Sequence, residues 1–205
     1  MEKNGLDHLV YGRNVVEFVA VASEFCRVVE VPGNYALPAL ADLTRKLLPL
    51  LYFKASLLPV VEPMSDDPLE KYVTELDYNL YLGKWAEILG EYDAYQEVFD
   101  PEIQFGTERV TASISESLLD IYQDLKDFLT AYSLGNEEVM HDALAECTAH
   151  FGEFWGQRLV NVLRALHQLV FSGALENGER PQPGNTGSRR DASGWVDRFF
   201  REGDE

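Results

Sequence analysis

Residues 114–132 read ISESLLDIYQDLKDFLTAY, and this stretch decides the fold. Ile114, Leu118, Ile121, Tyr122, Leu125, Phe128, Leu129 and Tyr132 recur at spacings of three and four, the period of one helix face. Glu116, Asp120, Asp124 and Asp127 fall between them and are expected on the opposite, solvent face. Leu134-Gly135-Asn136-Glu137-Glu138 then packs a stop and a start together. Gly135 suits a left-handed helix end, and Asn136 suits the cap of a new helix with an acidic first turn. A tight antiparallel helical hairpin follows from that pairing.

The same period extends outward in both directions. Downstream, Met140, Leu144, Cys147, Phe151, Phe154, Trp155, Leu159, Val162, Leu163, Leu166 and Val170 form a long stripe. Gly152 and Gly156 within it permit a bend or a division into two helices. Upstream, Val15, Phe18, Val19, Ala22, Phe25, Cys26 and Val29 predict a first helix over residues 9–29. A second begins at Pro38, carries Leu40, Leu43, Leu47, Leu50, Leu51, Leu57 and Leu58, kinks at Pro49 and stops at Pro59 and Pro63. Asp67-Pro68-Leu69-Glu70 has the form of a capped start, which predicts a third helix over Pro68–Tyr92. No run alternates with period two for long enough to form a central strand. The fold class is therefore all-α, an up-down bundle of five to six helices.

The chain has 205 residues, 46% hydrophobic, enough for one buried core. Residues 1–173 form the expected bundle domain. Residues 174–194, rich in Gly, Pro, Asn, Ser and Arg, read as a flexible linker. Residues 195–205 close the chain with an amphipathic docking segment, in which Trp195 and Phe199 share a face and Phe200 adds a third large ring. Those rings are expected to dock on this domain or on another copy, which admits a homodimer through the tail.

The formal charge is −18, and it is unevenly placed: residues 62–146 hold 21 acids against 4 bases. Such a field repels phosphate backbones, so direct nucleic-acid binding is not expected. It either steers a basic or amphipathic protein partner or serves as a solvated surface. No apolar run reaches the roughly 20 residues of a membrane span. Cys26 and Cys147 lie in apolar helical patterns with no export signal before them, which points to reduced thiols and the cytoplasm.

Motifs that carry chemistry are sparse. Glu138 and His141 form an E-x-x-H pair, and Glu146 and His150 lie four apart. These four residues are the ligand set of an alternative reading, a metal-dependent helical-bundle enzyme. A bundle metal site requires a second E-x-x-H and further inward glutamates, which the sequence lacks, so no cofactor is expected. There is no G-x-S-x-G and no phosphate-cradling glycine loop. The remaining constellation is Tyr78, Tyr81, Trp85, Tyr92 and Tyr95 among Glu87, Glu91 and Asp93. Aromatic rings beside carboxylates can hold a cation or a basic peptide, whereas the plainer alternative is half-buried tyrosines packing a bundle. The leading expectation is a non-enzymatic acidic interaction module with this cluster as its surface.

Tyr11-Gly12-Arg13-Asn14-Val15-Val16-Glu17-Phe18 near the start and Trp195-Val196-Asp197-Arg198-Phe199-Phe200 at the end resemble a family of uncharacterised all-helical bacterial proteins of this length. The resemblance implies a helical fold and a bacterial cytosolic setting. It supplies no activity and no functional residue.

Overall fold

Periodic burial generates the rods of the structure, a computed structural model that describes residues 9–65, 67–97 and 111–177. Helix α1 spans Arg13–Glu30, α2 Leu37–Ala55, α3 Glu75–Leu89 and α4 Ile114–Ser133. Helix α5 spans Glu137–His150 and α6 Gly156–Phe171, joined by a widened π turn at Phe151–Trp155, and α7 is a short turn at Ala174–Asn177. The junction uses a glycine for a steric reason: a Cβ at Gly156 would strike the Phe151 carbonyl and ring. The stripe from Met140 to Val170 is thus one rod with a widened turn in its middle.

Cross-contacts set the directions. Lys54 reaches Glu17, Tyr132 donates to the Val10 carbonyl and Lys126 reaches Glu30, so α2 and α4 both run antiparallel to α1. His150 meets Asp124, and Tyr52 stacks edge-on against Phe151, so the α5–α6 rod runs antiparallel to α4 and α2. Tyr78 meets Asp120 while Asp93 meets Ser115, which reverses α3 against α4 as well. The result is an up-down bundle of five rods, as the periodicity predicts.

Helix α4 is the central rod. Leu118, Leu119, Ile121 and Leu125 are fully enclosed, and Ser115 and Ser117 are buried too. Three of its four acids are therefore not on a solvent face: Asp127 is buried, and the Asp120 and Asp124 side chains are only 21% and 15% exposed, while Glu116 is exposed as expected. The amphipathic pattern distinguishes apolar from polar sides, and a helix surrounded by neighbours buries both.

The predicted third helix starts late. Residues 67–74 are not helical, and α3 begins after Thr74, whose hydroxyl accepts from the Asp77 N–H while Asp77 reaches back to the Thr74 N–H. That reciprocal capping box displaces the Asp67-Pro68-Leu69-Glu70 start. Leu50 and Leu57 of the predicted second stripe point outward, beyond the buried line of Leu40, Leu47, Leu48 and Leu51. A two-stranded antiparallel ladder, β1 (Ala94–Gln96) against β2 (Thr111–Ser113), joins α3 to α4 with Tyr95 opposite Ala112. Asp93 finishes the joint, accepting from the Ser115 N–H at 2.8 Å and from the Ser113 and Ser115 hydroxyls. Among the described residues, no helix is long and apolar enough to cross a membrane.

Candidate functional site

The aromatic residues of the sequence cluster are largely committed to packing. Tyr78, Tyr81 and Trp85 lie on one face of α3 at spacings of three and four, and that face meets α1 and α4. Trp85 is completely buried and its indole N–H donates to the Val29 carbonyl at 3.0 Å, so it is a core residue and no part of a binding surface. The Tyr78 hydroxyl donates to Asp120, and the Tyr81 ring stands edge-on to Tyr122. Tyr92 donates to the Ala174 carbonyl, and Tyr95 shares a hydrogen bond with Ser117. Asp93 is the α4 brace described above, while Glu87 and Glu91 are exposed. Burial raises the Tyr78 hydroxyl above the usual tyrosine range, and the Asp120 carboxylate adds to the shift.

The four residues of the metal reading do not converge. Glu138 lies exposed in the first turn of α5, where its N–H is capped by Asn136. His141 is buried against Asp142, Glu146 pairs with Lys71, and His150 hydrogen-bonds Asp124 at 2.7 Å. Among the described residues, no group of three or more His, Cys, Asp or Glu side chains is close enough to hold a metal ion. Burial raises both thiols, Cys26 and Cys147, which makes them poor nucleophiles. Trp195, Phe199 and Phe200 lie outside the described residues.

A feature absent from the sequence reading lies between α2 and α3. The extended chain there crosses α4 and α5 and is held by its backbone. Asp142 of α5 accepts from the consecutive N–H groups of Met64 and Ser65, at 2.6 and 3.2 Å. Asp127 of α4 accepts from those of Tyr72 and Val73, at 2.7 and 3.0 Å. Two carboxylates on adjacent rods thus pin one strap, and Lys71 adds a side-chain link to Glu146. Beneath the strap is a void of about 20 Å³, room for one water molecule and no organic ligand.

Beside the strap, the face of α5 and the π turn forms an open groove of about 640 Å³. Val61, Leu69, Ala145 and Ala149 supply apolar lining, and Glu62, Asp67 and Glu153 are exposed around it. These three carboxylates have no ion-pair partner among the described residues, and no Lys or Arg lines the groove. The exposed charge around the groove is negative among the described residues, with apolar lining beside it.

At the small void beneath the strap, burial raises the Asp124 carboxyl above its ordinary 3.8, with the His150 hydrogen bond opposing the shift. The folded state therefore holds that proton more tightly than the unfolded chain does. Its stabilising contribution is complete below 3.8 and is lost as pH rises through the folded value. The unfolding free energy of the wild type minus that of Asp124→Asn is expected to fall over that window. Urea titrations from about pH 3 to about pH 7 check it, and a flat difference would contradict it.

Residues 10–172 match the family described as Domain of unknown function (DUF5063). The crystal structure of protein BF1032 from Bacteroides fragilis is similar at a TM-score of 0.72 and 42% identity, over 86% of this chain and 99% of that one. No curated protein matches the chain. The family model covers most of the chain's length, and the Bacteroides structure shares its fold: the chain belongs to the DUF5063 family.

Proposed function

We propose that this domain is a protein-interaction module whose strap-side groove takes a basic, partly apolar polypeptide segment. The observation that supports the reading is the composition of that groove: among the described residues, three carboxylates without an ion-pair partner, Glu62, Asp67 and Glu153, stand around a partly apolar lining that holds no Lys or Arg. Lys and Arg side chains of a partner would meet the carboxylates while their neighbours cover Val61 and Leu69. The strong acidity of residues 62–146 extends the field beyond the groove and speeds encounter with such a partner. On this reading the interface lies on the strap and α5, away from the aromatic cluster of α3.

The test uses a fluorescent amphipathic peptide of alternating Lys and Leu turns, beside a matched peptide with Glu for Lys. Anisotropy is expected to rise with the cationic peptide only, and binding should weaken from 50 to 300 mM salt on the order expected for screened pairs. The triple variant Glu62→Lys, Asp67→Lys, Glu153→Lys should bind about tenfold more weakly, because each rim pair contributes only a fraction of a kcal/mol to about 1 kcal/mol. Equal binding of both peptides, or an unaffected triple variant, would overturn the reading. Reversing Glu87 and Glu91 instead should leave the affinity unchanged.

A further inference from the structure

The last two turns of α2 present an apolar face outward where a bundle helix ordinarily presents charge. Leu50 and Phe53 of α2, and Leu57 in the turn just beyond it, follow one another at spacings of three and four, and they are 45%, 54% and 39% exposed. Tyr52 beside them is likewise exposed, its ring meeting Phe151 at one edge. Lys54 lies over the Phe53 ring at 5.5 Å, and the exposures leave the rest of this face open among the described residues.

We infer that residues 195–200 of this same chain dock on it. Two observations select that occupant. The described chain leaves the bundle on the α2 side: Arg45 lies over the Phe171 ring at 4.9 Å, and α7 packs against α6 and α2. Phe53 is eight residues along α2 from Arg45, about 12 Å at the helical rise. Seventeen residues separate Asn177 from Trp195, and a chain of that length spans at most about 60 Å. The reach is ample. The segment also has matching chemistry by sequence: four of its six residues, Trp195, Val196, Phe199 and Phe200, are large and apolar, and Asp197 and Arg198 cancel in charge. A neutral apolar segment suits the α2 face and not the acidic groove, so this inference stands independently of the proposed function.

Hydrogen exchange on the full chain tests it. The amides of residues 195–200 are expected to exchange at least about tenfold more slowly than an unstructured chain. The double variant Leu50→Glu, Phe53→Glu should return them to the unstructured rate while leaving the thermal midpoint of the bundle unchanged, because both side chains are exposed. Phe199→Glu should do the same without touching the bundle. Unprotected amides in the wild type, or protection that survives the double variant, would overturn the inference. Protection that disappears on dilution together with a dimeric mass would also overturn it, and would assign the face to the tail of a second copy.

Discussion

Replacing Trp85 with alanine is expected to lower the unfolding free energy by about 4 kcal/mol. The indole is completely enclosed between α1, α3 and α4, so truncation removes its transfer free energy and leaves a cavity that rigid helices close only in part. There is a second contribution. Val29 lies in the last turn of α1, where carbonyls have no partner within the helix, and the Trp85 N–H at 3.0 Å supplies one. Trp85→Phe keeps most of the packing and orphans that carbonyl, so its cost should be smaller, about 1–3 kcal/mol. Urea unfolding with an unchanged slope checks both variants, and the alanine variant should melt about 8–16 °C lower. Glu87→Lys, an exposed neighbour two residues away, should change stability by less than about 0.5 kcal/mol. If Trp85→Ala were as mild as Glu87→Lys, α3 would not pack as described.

Asp127→Ala should cost about 3 kcal/mol and release one end of the strap. The carboxylate is 6% exposed and accepts two charge-assisted hydrogen bonds, from the Tyr72 and Val73 N–H groups. Removing it leaves two part-buried donors unsatisfied, and each costs on the order of 1–3 kcal/mol where water cannot reach it. Asp127→Asn retains one carbonyl oxygen as an acceptor and should lose roughly half as much. Hydrogen exchange separates this from general destabilisation: the Tyr72 and Val73 amides should open far more than those of α1. Because Leu69 lines the groove and lies three residues before Tyr72, the same variant should also weaken capture of the cationic peptide. Wild-type protection at Tyr72 and Val73 in Asp127→Ala would show that the carboxylate is not what holds the strap.

The sequence makes the local features of this fold legible and leaves its long-range ones hidden. The stripes of α1 and α4, the division of the long stripe at Gly152 and Gly156, and the Gly135-Asn136 hairpin all follow from neighbouring residues. Gly135 has φ 72°, and the Asn136 side chain accepts from the Glu138 and Val139 N–H groups. The strap does not follow from neighbours. A helix starting at Pro68 would use the Tyr72 N–H internally, whereas an aspartate 55 residues away takes it. No pattern within residues 60–74 announces that exchange. The acids of α4 mislead for a related reason, since periodicity cannot tell a polar side facing water from one facing His150, Arg158 and a strap. For α3 the aromatic spacing of three and four is itself the signal of packing, and the nearby carboxylates do not distinguish a packed face from an open one.

A segment fastened by its main chain places few demands on its own side chains. The two aspartates bind N–H groups, which every residue but proline supplies, so positions 62, 67 and 70 are open to almost any side chain without disturbing the attachment. Proline at 64, 65, 72 or 73 is the exception. The strap therefore resembles an antibody loop in its economy: a fixed track carrying interchangeable contacts. A saturation library over positions 62 and 67, which line the groove, is a direct route to retargeting it while the scaffold stays constant.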